Sequence, residues 1–140
     1  MSFEAIQPGL RGEARLVVAE EHTARHLGSG GVQVLATPQM ILLMERAGVA
    51  AVDPLLPAGY RTVGAHLDVR HLAPTPVGFE VVAEVELIER EGRRLTFRVQ
   101  VHDGLEVVGE GQHERFIIDV ARFGQRVAQK AARAQPAART

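Results

Sequence analysis

The feature that most constrains this chain is a helical segment that is apolar on nearly every side. Between Pro38 and Val52, ten side chains are aliphatic or methionine. Thr37 followed by Pro38 is typical of a helix start, because threonine caps free N–H groups and proline has no N–H to leave unpaired. Pro54 then stops the helix. A helix of this kind is buried rather than lying on a surface, so the rest of the chain must cover it.

The segments around this helix alternate as strands do. A short strand-like run, Ala14 to Glu20, precedes the helix, and four alternating runs follow it: Tyr60 to Leu72, Phe79 to Glu89, Arg94 to His102 and Leu105 to Asp119. In the run that starts at Tyr60, Val63 and His71 share the apolar face. Glycine-containing hairpin dipeptides separate the last three runs, which therefore predict an antiparallel meander.

Together these elements predict a single α+β domain over residues 1–140, with one long antiparallel sheet wrapped around a central helix. Glu21 to Gly31 is polar and glycine-rich and predicts a mobile loop. Asp119 to Ala134 predicts a second, amphipathic helix, and Gln135 to Thr140 a frayed tail.

Composition excludes several classes of function. The 140 residues contain no cysteine, which rules out disulfides, thiolate zinc sites and cysteine nucleophiles. The net charge of −1 favours neither nucleic acid nor anionic lipid as a partner. The longest apolar stretch is too short and too charged to span a bilayer, and the N-terminus lacks the pattern of a signal peptide. We therefore expect a cytoplasmic protein. No metal-ligand pair, phosphate-binding glycine motif or nucleophile elbow is found.

Glu45 is the least expected residue, because it lies in the middle of the apolar helix. A carboxylate buried there is costly unless it is paired, and catalytic carboxylates are often placed in this way. The alternative is a structural Glu45 that faces water or pairs with Arg46 or with an arginine of a strand. Thr37 has a similar ambiguity. The helix N-terminus that it marks favours an oxyanion, yet a helix cap alone explains the residue.

Two further residues are predicted to point inward from strands. His71 ends its strand on the apolar face, where an unpaired histidine is more often a core residue than a catalytic one. Arg115 shares its parity with His113, and an inward arginine needs an anionic partner, for which Glu45 is a candidate.

Several local matches carry a resemblance to a known family. The order Thr37, Glu45, His71 is supported by Leu43-Met44-Glu45, Val63-Gly64-Ala65, the run from His71 to Gly78, Glu91 to Leu95, His102-Asp103-Gly104 and Gly111 to Arg115. From about Arg15 to Val127 the chain resembles the hot-dog thioesterases that are similar to fluoroacetyl-CoA thioesterase. The resemblance implies a hot-dog fold, a homodimer with its site near the subunit interface, and a coenzyme A thioester as substrate, with no separate cofactor.

The resemblance also implies a role for individual residues. Thr37, Glu45 and His71 would be catalytic, the Gly64 backbone N–H would bind the thioester carbonyl, and Arg115 would line the site. Glu45 would attack the carbonyl or activate water, and the sequence leaves both open. The fluoroacetyl-specific enzymes have bulky aromatic residues before the threonine, where this chain has a Gly-Ser-Gly-Gly segment. We therefore expect a relative that acts on other small acyl groups. The alternatives are a non-catalytic acyl-CoA-binding dimer and an enoyl-CoA hydratase-like enzyme.

Overall fold

Five antiparallel strands form one sheet in a computed structural model that describes residues 3–134. The elements are β1 (Arg11–Val17), α1 (Ala24–Leu27), α2 (Thr37–Val52), β2 (Tyr60–His71), β3 (Glu80–Glu91), β4 (Arg94–His102), β5 (Val107–Asp119) and α3 (Val120–Arg133), with short 3₁₀ turns at Glu20–His22 and Asp53–Leu55. The strand order is β1-β3-β4-β5-β2, so the predicted meander β3-β4-β5 forms the centre of the sheet. The predicted α+β fold, a sheet around a central helix, is confirmed.

Helix α2 lies across one face of the sheet and packs chiefly against β1 and β3. Met40, Met44 and Ala47 on its inner side are fully buried. The helix comes so close to β1 that a Cβ on Gly12 would lie 2.6 Å from the Ala47 carbonyl oxygen. Only glycine therefore permits this packing.

The opposite side of α2 is not enclosed, which differs from the expectation of a helix covered all round. Leu42 and Val49 are each 38% exposed. Their side chains face away from β1 and β3, and residues 3–134 leave them partly uncovered. The sheet is thus sufficient to bury one side of an apolar helix, and the other side is left as an apolar surface beside the edge strand β2.

Three predictions of local structure, on the first strand, the loop after it and the helix cap, are wrong. The first strand is Arg11–Val17 rather than Ala14 to Glu20, because its pairing with β3 ends at Val17. The predicted loop after it contains helical turns, since the Thr23 hydroxyl caps α1 by accepting from the His26 N–H. Thr37 is the first residue of α2 and not its cap, which is Ala36 and provides no side-chain hydrogen bond.

Strand β2 contains a bulge that sequence alternation could not reveal. The register with β5 shifts between Gly64 and His66, which inserts Ala65 as an extra residue. Val63 therefore lies on the opposite face from His71, contrary to the prediction that they share one. Gly64 instead joins Thr62 on the face towards α2, where Thr62 is buried.

Helix α3 follows β5 directly, and the Asp119 carboxylate caps it by accepting from the Arg122 N–H at 3.2 Å. This helix has no buried residue. The tail predicted to be frayed lies outside the described residues. Within residues 3–134, no helix is long and apolar enough to cross a membrane.

Candidate active site

Thr37 and His71 form a hydrogen-bonded pair at the N-terminal end of α2. The Thr37 Oγ1 atom lies 2.7 Å from Nδ1 of His71, the last residue of β2. Because Ala36 occupies the cap position, the Thr37 hydroxyl is free for this contact. The pair thus joins a hydroxyl at the positive end of the helix dipole to a titratable imidazole.

The surroundings of His71 favour a neutral imidazole. Burial lowers the pKa of His71 below its ordinary value of 6.5, and an interaction with the Ala73 backbone opposes this shift. Its Nε2 atom is buried and has no hydrogen-bond partner among residues 3–134. A neutral imidazole has one nitrogen that accepts a hydrogen bond and one that donates. One ring nitrogen can therefore bond the Thr37 hydroxyl while the other bonds a reacting group.

A cleft of about 350 Å³ opens beside this pair. Its walls are mostly small or apolar side chains, namely Ala24, Ser29, Gly30, Val32, Val34, Leu35, Leu72, Ala73 and Pro74. The glycine-rich segment forms one wall, and Val32 in it is 58% exposed. The cleft can hold a small apolar group next to Thr37 and His71, and the segment places no aromatic side chain over it.

Glu45 belongs to a second group of residues, further along α2. Its side chain is 35% exposed, and its Oε2 atom lies 3.6 Å from Nη1 of Arg115. It also packs against the backbone of Gly64, where any Cβ would collide with Oε2. The bulge in β2 and the missing side chain of Gly64 therefore make room for the carboxylate. The predicted partner of the inward arginine is confirmed by this ion pair.

Arg115 is 4% exposed and is held from behind by polar groups. Its Nε donates to Thr62 Oγ1 at 2.8 Å, and Nη2 donates to the Thr62 carbonyl at 3.0 Å. The Thr62 hydroxyl donates in turn to Asp53 Oδ1 at 2.6 Å, and the Thr62 N–H donates to Asp53 Oδ2 at 3.1 Å. Nη1 of Arg115 also lies 3.4 Å from Nε2 of the fully buried His113.

Sequence reasoning missed Asp53 and Thr62. Asp53 follows the last residue of α2, a position that reads only as a helix end, and Thr62 reads as one more residue of an alternating strand. The available signal was electrostatic, because a buried arginine needs more counter-charge than one half-exposed glutamate provides.

The five predicted site residues thus fall into two groups in one chain. Thr37 contacts His71, while Glu45 contacts Gly64 and Arg115. Eight helical residues separate Thr37 from Glu45, which is about 12 Å along the axis. No hydrogen bond or ion pair links the two groups within residues 3–134. No group of three or more histidine and acidic side chains in this described part could hold a metal ion.

Known proteins are similar to this chain in sequence and in fold. A family model described as fluoroacetyl-CoA-specific thioesterase matches residues 18–121. The fluoroacetyl-CoA thioesterase of Streptantibioticus cattleyicolor is 38% identical over 133 residues, which cover 91% of this chain and 96% of that protein.

Solved structures of several proteins have a fold similar to that of this chain. The structure of a fluoroacetyl-CoA thioesterase has a TM-score of 0.83 and 39% identity over 89% of this chain and 97% of that one. A thioesterase-superfamily protein of Thermus thermophilus has a TM-score of 0.85 and 30% identity over 91% of this chain and 95% of that one. A hot-dog-like protein of Thermanaerovibrio acidaminovorans has a TM-score of 0.85 and 25% identity over 93% of this chain and 97% of that one. With these similarities along most of its length, the chain belongs to the fluoroacetyl-CoA-specific thioesterase family.

Proposed function

We propose that this protein hydrolyses a small acyl-CoA thioester to the free acid and coenzyme A. Membership of a thioesterase family carries the proposal. The hydrogen-bonded Thr37–His71 pair beside a small apolar cleft supports it, as does a half-exposed Glu45 that faces Arg115. Coenzyme A is part of the substrate, so the reaction as proposed needs no separate cofactor.

In the proposed reaction, the carbonyl carbon gains an oxygen and loses the coenzyme A sulfur. Either Glu45 attacks the carbonyl and water cleaves the resulting anhydride, or Glu45 takes a proton from an attacking water. The Thr37 hydroxyl and the Gly64 N–H stabilise the oxyanion. His71 assists transfer of the proton that the leaving thiolate receives.

We further propose that the working form is a homodimer. The apolar outer side of α2, with Leu42 and Val49, lies beside β2, a strand whose outer edge is unpaired in the chain as described. An uncovered apolar face next to a free strand edge favours association with a second copy. A twofold axis beside β2 would also bring the Thr37–His71 pair of one protomer towards the partner's Glu45. Each active site would then contain both groups of residues. A cytoplasmic location remains a prediction.

Mixing two inactive variants tests the shared site. Glu45→Gln and Thr37→Ala are each expected to lose at least about a hundredfold in kcat. If each site takes Thr37 from one protomer and Glu45 from the other, a heterodimer of the two variants has one intact site. An equal mixture, after unfolding and refolding together, should then recover about a quarter of wild-type activity, since half of the dimers are heterodimers. No recovery, with mixed dimers verified by mass spectrometry, would place each site within one chain.

A substrate panel tests the acyl group and the rival functions. A hydrophobic pocket discriminates one methylene by only about 1–3 kcal/mol, so strong selectivity among small acyl groups must come from the shape of the pocket or from a lid. Gly28, Gly30 and Gly31 have no side chains with which to build one. We therefore expect fluoroacetyl-CoA to show no large advantage over acetyl-CoA in kcat/KM, and propionyl- and butyryl-CoA to be accepted. Release of free thiol supports the thioesterase. Loss of crotonyl-CoA absorbance without thiol would indicate a hydratase, and binding without turnover a non-catalytic protein.

A further inference from the structure

A buried polar cluster of Asp53, Thr62 and Arg115 lies behind Glu45, and its side chains contact one another in a defined order. Asp53 and Thr62 are 8% and 6% exposed, and neither touches Glu45. They lie on the far side of Arg115, and Thr62 connects the two by donating to the carboxylate and accepting from the guanidinium. The order of contacts is therefore Asp53, Thr62, Arg115, Glu45, so the first two can influence the last only through the arginine.

The contact between Arg115 and Glu45 is loose, whereas those between Arg115 and Thr62 are tight. The Nη1–Oε2 separation of 3.6 Å is too long for a hydrogen bond, while Nε and Nη2 donate to Thr62 at 2.8 and 3.0 Å. An unrestrained arginine would turn its fork to bind the carboxylate through two parallel hydrogen bonds. Here the side of the fork that carries Nε is already engaged with Thr62. Glu45 makes no hydrogen bond among residues 3–134.

We infer that Asp53 and Thr62 are positioning residues that keep Arg115 in a one-sided contact with Glu45, so that the carboxylate stays free of hydrogen bonds for the reaction. Asp53 balances the arginine charge, and Thr62 fixes the guanidinium plane. The inference rests on the proposed role of Glu45, because its purpose is to preserve a reactive carboxylate there.

The charges around Glu45 agree with the role of Asp53 as the counter-ion of Arg115. Burial lowers the pKa of Arg115, and the charges of Asp53 and then Glu45 oppose that shift, so Asp53 is the stronger counter-charge. The other group facing Arg115 is His113, whose pKa is lowered to about 4, so at neutral pH it adds no charge. On β2 the residue against Glu45 is Gly64, and the titratable residue that follows it in that strand, His66, is 63% exposed. On α2 itself, Arg46 points to solvent.

Asp53→Asn tests the inference, with Asp103→Asn as a matched control. Both aspartates are 8% exposed, and both accept hydrogen bonds from backbone N–H groups and a threonine hydroxyl. Without the Asp53 charge, Arg115 should close on Glu45, since that carboxylate becomes its remaining counter-ion. We expect kcat to fall at least about tenfold with KM little changed, because the carboxylate is engaged rather than the cleft altered.

The control separates positioning from folding. Asp103→Asn should lose thermal stability and keep kcat within about twofold of the wild type. If Asp53→Asn retains the kcat and KM of the control, Asp53 is structural only and the inference is wrong. If Asp53→Asn does not fold, Thr62 carries the test. Thr62→Ser keeps the hydroxyl and should keep kcat, Thr62→Val removes it and should lower kcat, and equal kcat values in the two variants would overturn the proposal.

A crystal structure separates this inference from the proposed function. If the wild type hydrolyses no acyl-CoA, the proposed function fails. The rearrangement at Arg115 can still be measured, and Asp53→Asn should shorten its contact with Glu45 to hydrogen-bond length. An unchanged Arg115 in that variant would overturn the inference even in an active enzyme.

Discussion

His113 should make the protein less stable in mild acid, by an amount that can be derived from its surroundings. Its ring is fully buried, with Nε2 3.4 Å from the Arg115 guanidinium. Burial, and then the charge of Arg115, lowers the pKa of His113 from 6.5 to about 4. The imidazole is a base with a depressed pKa, so the unfolded chain binds a proton more readily than the folded one. Stability is therefore full above pH 6.5 and is lost as the pH falls towards 4.

The expected loss follows from proton linkage. With pKa values of 6.5 unfolded and about 4 folded, the His113 contribution to the free energy of unfolding falls by about 2 kcal/mol at pH 5 and about 3 kcal/mol at pH 4. His71, whose pKa is also lowered, acts in the same direction. A variant at His113 isolates one residue, since the contributions of His71 and the carboxylates are common to both proteins.

His113→Gln is the appropriate change, because a glutamine oxygen can accept from Arg115 and does not titrate. Its free energy of unfolding, measured by urea titration from pH 7.5 to pH 4 at one protein concentration, should decline less than that of the wild type by about 3 kcal/mol. His66→Gln is the control, as that side chain is 63% exposed, and it should follow the wild type. If the curves of His113→Gln and the wild type run parallel over this range, the buried histidine is not held neutral and the reasoning fails.

Two further predictions concern the two site groups. Thr37 makes no side-chain cap hydrogen bond, but its hydroxyl contacts His71, so Thr37→Ala should lower the free energy of unfolding by only about 1 kcal/mol. Its kcat should nevertheless fall well below that of Thr37→Ser, and a Thr37→Ala variant with full kcat would exclude a catalytic hydroxyl. A Cβ at position 64 would collide with the Glu45 carboxylate, so Gly64→Ala should fold but lose at least about tenfold in kcat. The control is Gly124→Ala, whose added Cβ meets open space and which should keep the wild-type kcat. Equal kcat values in the two variants would contradict the close packing at Glu45.

The fold could be predicted because its signals are periodic. The apolar helix, the alternating runs and the glycine turns each identify an element locally, and their order leaves one arrangement that buries the helix. The boundaries were less accurate where an interaction between distant residues decides them. Strand β1 ends at Val17, which pairs with the first residue of β3, and Thr37 contacts His71, which is 34 residues away in sequence.

The candidate site was predicted in part, because the resemblance named the residues but not how they group. The pairing of Arg115 with Glu45 followed from the general need of a buried cation for an anion. The bulge at Ala65 could not be predicted, since Gly64 and Ala65 are both small and the strand still alternates as if no residue were inserted. Without the bulge, Gly64 would face away from α2 and Glu45 would meet a side chain.

The position of the two groups along α2 has a consequence for the proposed dimer. Thr37 and Glu45 are separated by two turns of one helix, and the strand beside it carries His71 near the first and Gly64 near the second. Each protomer therefore offers two complementary half-sites at different heights beside one free edge. A twofold axis reverses this order in the partner, so each half-site can meet its complement, and the two interactions are identical by symmetry. The apolar side of α2 that the sheet leaves uncovered runs alongside these half-sites, with Leu42 between Thr37 and Glu45 and Val49 about one turn beyond Glu45. In the proposed assembly, the burial of that surface and the completion of both sites are thus a single event, so a change that separates the protomers should remove activity from both sites together.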